Sequence, residues 1–371
     1  TKAYKFISFI YRIFYIHYSI FMSVFNSTPP KIKKNHLIKW LNQNYIFFNR
    51  HKLLLKKLDS ERDKNYLVTL DNKKKYIIKI SNALEEKKII ELQDYVLSSL
   101  NKRPSINKII PKIIHNKIKS YKDQNNSKCY VRILSFIEGK VFANSKNSIE
   151  LEISLGTYIG LLSKELKNLG HPSAFRKFEW DPSSIEWLQN YTDLFTLKKK
   201  NIIKKNITEF KQFVKMNKNN LRYSLTHGDL NNYNLVVSKK DIVGLLDYGD
   251  MIFAPTINDL AICLSYALMK RQNLYYSLKN IIVSYHEIFP ITYDETYSLI
   301  SLVKSRLTIT VVMAEKQIKK FPKNKYLIIS KKSAWNLLYK LDKINIYDLI
   351  YWIRDIKMTK DTQAASQADA S

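Results

Sequence analysis

Apolar and polar positions change rhythm several times along the chain. Residues 35–46 carry the spacing of a short helix. Residues 66–70 and 76–80 read as two strands, with the polar run Asp71-Asn72-Lys73-Lys74-Lys75 turning between them. Over 85–100 the period lengthens, and Ile89, Ile90, Leu92, Val96, Leu97 and Leu100 recur at helical spacing. Residues 130–136 form another predicted strand. Residues 149–169 form a long helix, with Leu151, Leu155, Ile159, Leu162 and Leu166 on one stripe. Beyond it the sequence is helix-rich, broken by a compact strand pair at 234–247. No internal repeat interrupts this order. Strands early and helices late predict an α+β protein with a mixed first lobe and a mostly helical second one.

The two ends depart from this pattern. Residues 4–26 form an aromatic, apolar run long enough to span a bilayer. Lys5, Arg12 and His17 interrupt it, tyrosines sit inside it, and it lacks the small-residue cleavage pattern of a signal peptide. Met22 is expected to be the natural start, with the residues before it an upstream extension; a membrane anchor is the alternative. Residues 360–371 are rich in Ala, Ser, Gln and Asp and read as a disordered tail. The expected divisions are therefore an extension (1–25), an N-terminal lobe (26–134), a C-terminal lobe (135–345), and a helix end with tail (346–371).

Composition narrows the function. Of 371 residues, 45% are hydrophobic, which supports a sizeable core and excludes wholesale disorder. There are 62 Lys+Arg against 32 Asp+Glu, a formal charge of +30. That charge is spread in lysine pairs such as Lys33-Lys34, Lys87-Lys88 and Lys331-Lys332, and arginine is scarce. A nucleic-acid reader concentrates charge on one element and uses arginine at base edges, so nucleic acid is not the expected partner. The charge should still speed association with anionic ligands such as nucleotides. Two cysteines, Cys129 and Cys263, exclude a disulfide scaffold and a cysteine-based zinc cluster. They suit a reducing compartment, and a cytoplasmic location is expected. The histidines lack metal-ligand spacing, and no zinc site is proposed.

The chemistry concentrates between Thr226 and Asp259. The run Thr226-His227-Gly228-Asp229 leads through a short polar loop to Asn234. Asn234 opens an apolar strand, Lys239-Lys240-Asp241 turns the chain, and a second strand returns it to Asp247. An antiparallel hairpin would bring Asn234 and Asp247 to the same end of the strand pair. Three oxygen-bearing side chains then converge with no sulfur or imidazole among them, which suits a hard cation such as Mg²⁺. Phosphoryl transfer uses such a set: one carboxylate orients the attacking hydroxyl, while a carboxylate and an amide hold the metal. The spacing is that of the protein-kinase loop His-Arg-Asp-x-x-x-x-Asn, with Asp247-Tyr248-Gly249 where Asp-Phe-Gly would stand and Gly228 replacing the arginine. Each of these residues also favours turns on its own account; the combination is what points to catalysis.

His-Gly-Asp-x-x-x-x-Asn followed by a metal-binding Asp resembles the aminoglycoside phosphotransferase-like small-molecule kinases. Further segments resemble their hydroxylysine kinase-like branch. These are residues 60–67, 76–82, 131–136, 171–181, 246–251 and 326–330, so the likeness extends over about 26–345. It implies a bilobal protein-kinase-like fold, with a small antiparallel-sheet N-lobe, a larger helical C-lobe, and a Mg²⁺-nucleotide between them. It implies Asp229 as catalytic base and Asn234 and Asp247 as metal ligands. Asp259 would be the buried brace of the catalytic loop, and His227 its packing and hydrogen-bonding residue. Lys79 would contact the nucleotide phosphates and pair with a helix carboxylate, Glu91 or alternatively Glu86. Phe136 and Ile137 would form the hinge that holds the purine. No glycine-rich loop is present; residues 60–65 take its place, with Ser60 and Arg62 as candidate phosphate contacts.

The implied activity is transfer of the γ-phosphoryl group of ATP or GTP to a hydroxyl of a small amino acid or amino alcohol, with 5-hydroxylysine favoured. Homoserine, choline-type and sugar kinases belong to sister branches. The rival class is a non-catalytic basic scaffold, or a membrane-associated module if residues 4–26 insert. Arg306, inside an apolar helix, would either pair with a structural carboxylate or bind a substrate carboxylate. Trp180-Asp181 reads as the start of a helix, with Asp181 as N-cap and Pro182 at the first helical position.

Overall fold

The computed structural model describes residues 28–353 except 61, 116, 270, 321–324 and 346, with helical backbone only over 319–320 and 325–330. Residues 4–26 and the C-terminal tail lie outside the described residues. The chain divides into two compact units. One takes the N-terminal portion to Ser98 together with Pro111–Phe136; the other takes Ser99–Ile110 and everything from Ile137.

The first unit opens with helix α1 (Lys34–Asn44) and a single further turn, Ile46–Asn49. Strands β1 (Leu53–Leu58), β2 (Lys64–Leu70) and β3 (Lys75–Ile80) follow, then helix α2 (Lys87–Asn101). Strands β4 (Lys119–Lys122) and β5 (Lys128–Ser135) complete an antiparallel sheet in the order β1-β2-β3-β5-β4. Alternation along the strands sends Tyr66, Val68, Leu70, Ile78, Ile80, Val131 and Ile133 to one face, where they pack with Leu37, Leu41, Tyr45 and Phe48. The opposite face meets α2. There the nearly buried Arg132 bonds Asp94 at 3.0 Å and also bonds Gln93. Lys79 is the cross-strand partner of Arg132, so it stands on this α2-facing side.

Two of these strands had no legible signal. In β1 the buried Leu53 and Leu55 flank Leu54, which is 70% exposed, so an apolar run conceals the alternation. In β4 three of four side chains are polar and only Tyr121 is buried, as suits an edge strand.

In the second unit, β6 (Lys140–Val141), β8 (Leu235–Ser238) and β9 (Asp241–Leu245) form one small sheet; β7 (Tyr223–Thr226) and β10 (Ile252–Pro255) form another. Around them lie α3 (Ile149–Leu166), α4 (Leu197–Phe210), α5 (Asn258–Ala267), α6 (Leu274–Ile288), α7 (Tyr293–Lys320) and α8 (Lys325–Leu341). Helices α3 and α6 pack closely because Gly156 carries no side chain; a Cβ there would come within 2.3 Å of the Ile281 carbonyl oxygen. Helix α7 is apolar and long enough to cross a membrane by composition, but 89% of its apolar window is buried inside the protein. Its apolarity is that of a core helix. No helix starts at Pro182, contrary to expectation. Asp181 instead accepts from the Ser183 backbone N–H at 2.8 Å and closes a turn, and a 3₁₀ stretch, Glu186–Leu194, follows.

Candidate active site

The loop between β7 and β8 is built by backbone hydrogen bonds to buried side chains. Asp259, in the first turn of α5, accepts from the backbone N–H of His227 at 2.8 Å and of Gly228 at 3.0 Å. Its carboxyl is fully buried, and burial pushes its pKa up to about 6 against the pull of those two donors. His227 is also buried. Its Nε2 bonds the Leu246 carbonyl at 3.0 Å while its Nδ1 receives the Asp229 backbone N–H at 3.3 Å. Those bonds together fix the Nε2–H tautomer and tie the loop to the end of β9. Tyr248 packs its ring against His227 at 4.7 Å. Gly228 sits at φ +79°, and a Cβ there would fall 2.3 Å from the Asp250 carbonyl oxygen. The backbone crossing explains why no side chain stands where the protein-kinase pattern has arginine.

The hairpin β8–β9 closes as its sequence implies. Lys239 takes the left-handed turn position, and Leu235 pairs with Leu245. The Leu246 N–H donates to the Asn234 carbonyl at 2.8 Å, so Asp247 emerges next to Asn234. Asp247 has φ 63° and ψ 79°, and its side chain is exposed. The turn after it is clamped by Arg176, whose guanidinium donates to the carbonyls of Gly249 at 2.8 Å and Met251 at 3.2 Å.

Asp229 lies at the centre. Its Oδ2 accepts from Asn231 Nδ2 at 2.7 Å and Asn234 Nδ2 at 3.0 Å, and Asn234 Nδ2 also donates to the Asp229 carbonyl at 2.8 Å. Its Oδ1 accepts from Arg306 Nη2 at 2.6 Å. Arg306 comes from the middle of α7 and is only 2% exposed. It also donates to the Trp180 carbonyl at 2.6 Å and to the Tyr266 hydroxyl at 3.3 Å. Its guanidinium lies over the Trp180 ring at 4.8 Å and the Tyr266 ring at 5.5 Å. Burial works against its charge, but Tyr266 and Asp229 outweigh that and hold its pKa above the ordinary arginine value.

Among the described residues, no group of three or more His, Cys, Asp or Glu gathers as a metal nest. Asn234 and Asp247 supply one amide and one carboxylate. Because Asn234 Nδ2 is turned onto Asp229, its Oδ1 points the other way. These hard oxygens suit a Mg²⁺ that takes its remaining ligands from phosphate and water.

The remaining candidates lie in the first unit or at its border. Ser60 is exposed, and Arg62 is half-buried in the β1–β2 connection. Glu91 bonds Lys87 of its own helix at 2.7 Å, and Glu86 bonds Lys88 at 2.6 Å. The sheet is tied to α2 by Arg132 and Asp94. Phe136 is the last residue of the first unit, and Ile137 belongs to the second.

The loop from Asp229 to Asn234 and the following Asp247 have the spacing used for phosphoryl transfer, and comparison with known proteins agrees with that chemistry. Residues 55–277 match the model of the phosphotransferase enzyme family, and the chain belongs to that family. It is a phosphotransferase with an α+β kinase-like fold. It is 28% identical to hydroxylysine kinase of Mus musculus over 320 residues, covering 76% of this chain and 83% of that one. It is 25% identical to hydroxylysine kinase of Xenopus laevis, covering 86% and 92%. Among solved structures, a microcompartment-associated aminopropanol kinase matches with a TM-score of 0.66 at 14% identity, covering 84% of this chain and 97% of that one. An amicoumacin kinase in complex with AMP-PNP and Ca²⁺ matches with a TM-score of 0.60 at 15% identity, covering 80% and 91%.

Proposed function

We propose that this protein transfers the γ-phosphoryl group of ATP or GTP to a hydroxyl of a small amino acid or amino alcohol, with a 5-hydroxylysine-like acceptor favoured. The observation that carries the reading is the convergence of Asn231, Asn234 and Arg306 on Asp229. Both oxygens of that carboxylate are held, at the mouth of a hairpin that leads to Asp247. The acceptor class rests on the likeness to the hydroxylysine kinases.

In the reaction the acceptor hydroxyl oxygen forms a bond to the γ-phosphorus as the bond to the β-bridging oxygen breaks. Asp229 orients the hydroxyl and takes its proton late, because the transition state carries little nucleophile charge. Asn234 and Asp247 would hold Mg²⁺, which supplies charge neutralisation on the phosphates. Lys79 would contact the phosphates, and Phe136 and Ile137 the purine.

The test is a phosphate-transfer screen over hydroxy-amino acids, amino alcohols and aminoglycosides, with ATP and GTP in Mg²⁺. Transfer to 5-hydroxylysine or a near analogue is expected. Transfer only to aminoglycosides or sugars would replace the acceptor assignment, and no transfer to any acceptor would overturn the kinase reading.

A further inference from the structure

We infer that Arg306 is a positioning residue for the catalytic base, not a ligand of the acceptor's carboxylate. The inference rests on the proposed role of Asp229. Among the described residues Arg306 is the largest fully buried side chain, and all three of its nitrogens are engaged. Nη2 goes to Asp229, Nη1 to the Trp180 carbonyl and Nε to the Tyr266 hydroxyl. A substrate carboxylate would need the same planar edge that already faces Asp229 and Trp180. The rings of Trp180 and Tyr266 further fix the guanidinium.

The geometry has a mechanical consequence. A carboxylate held on one oxygen can still swing about its Cβ–Cγ bond. Asp229 is held on both, by Arg306 at Oδ1 and by the amides of Asn231 and Asn234 at Oδ2. The amides belong to the same loop as Asp229 and would move with it. Arg306 belongs to the core helix α7, so it registers the base against the core of the second unit. Through the Trp180 carbonyl it also registers the 178–181 segment, whose Asp181 bonds Asn258 at 2.9 Å beside Asp259. Burying an arginine is costly unless it is paired, so its charge here needs Asp229 as much as Asp229 needs it.

The test is a double-mutant cycle of Arg306→Lys and Asp229→Asn, with kcat and both KM values measured alongside melting temperature. Lysine keeps a charge near Asp229 but cannot hold Trp180 and Tyr266 together. A misplaced base costs on the order of 10²-fold in rate, so Arg306→Lys should lower kcat by about that factor and leave both KM values within about threefold. In the Asp229→Asn background the same substitution should cost about tenfold less, because the two residues act as one unit. A raised acceptor KM with unchanged kcat, or full additivity, would overturn the inference. A readout that needs no turnover separates this from failure of the kinase reading. The Arg306 side-chain N–H groups should give slowly exchanging NMR signals that shift in Asp229→Asn. Signals unmoved by that substitution would refute the positioning role even in an inactive protein, whereas a kinase-negative wild type with shifted signals would refute only the reaction.

Discussion

Asp259 shows how one residue can serve the site at a cost to the fold. Its carboxyl is pushed up to about 6 by burial, while an unfolded chain would leave it near the ordinary aspartate value. The folded form therefore binds a proton more tightly than the unfolded form does. Stability from this group is fully present below the unfolded value and is lost as pH rises through about 6. Function runs the opposite way, because the ionised carboxylate accepts more strongly from both the His227 and Gly228 N–H groups than the neutral acid does. Turnover should fall as pH drops below about 6 while the protein remains folded. Asp259→Asn should flatten the urea-melt stability profile between pH 4 and 6 relative to wild type. An unchanged profile would show that another carboxyl carries the dependence. Two neighbouring substitutions separate chemistry from geometry. Asp229→Ala should reduce kcat by about 10³-fold or more with nucleotide binding by calorimetry retained, since general-base groups contribute 10²–10⁴. Gly228→Ala should cost about 2 kcal/mol or more in stability and abolish turnover, because its Cβ has no room beside Asp250.

At the scale of elements, what could be read from sequence depended on whether structure and pattern are local. The β8–β9 hairpin was legible because two apolar runs flank a polar turn, and that turn geometry dictates that Asn234 and Asp247 meet. The loop spacing from Asp229 to Asn234 was legible for the same reason. Strands β7 and β10 were not, since four-residue strands with three buried side chains each, pairing across some thirty positions, have no periodicity of their own. Arg306 reaches Asp229, Trp180 reaches Arg306, Asp181 reaches Asn258 and Arg176 reaches the turn after Asp247, all from distant segments, so their partners could not be deduced from spacing. The brace that holds β7 is of this kind. Glu295 is fully buried, caps α7 with Thr292, and receives Arg222 at 2.8 Å and 2.5 Å. Arg222 also donates to the Pro290 carbonyl at 2.8 Å and packs over Phe289. The Thr292-x-x-Glu295 capping box can be seen in sequence; the arginine that completes it cannot. Arg222→Met leaves a buried carboxylate without its cation. Breaking a buried pair costs about 3–5 kcal/mol, and the value expected here is near the lower end because Arg222 is 32% exposed. Urea melts of Arg222→Met and Glu295→Gln would check it; a smaller loss for the glutamine variant is expected, since the amide keeps an acceptor for Arg222.

For the whole molecule, the decisive quantity is whether a nucleotide with its metal stabilises the folded chain. The two units each have their own core, so heating can produce two transitions instead of one. Asn234, Asp247 and Asp229 all belong to the second unit, so the transition of that unit must respond to the ligand. At a free concentration of 100 times Kd, binding adds about 2.7 kcal/mol to the ligand-bound fold, which raises its melting temperature by about 5–10 °C. The expected result is a shift with ATP or GTP in Mg²⁺ and a much smaller one in EDTA. Asn234→Ala or Asp247→Ala should make the Mg²⁺ and EDTA results converge, whereas Asp229→Ala should leave them distinct. The formal charge of +30 complicates the reading, because any polyanion can stabilise so basic a chain by screening its self-repulsion. Inorganic triphosphate at the same ionic strength controls for this. Stabilisation equal to that of the nucleotides, and indifferent to Asn234 and Asp247, would reduce the effect to charge. A nucleotide-specific, metal-dependent excess would tie those two oxygens to the phosphates they are proposed to serve.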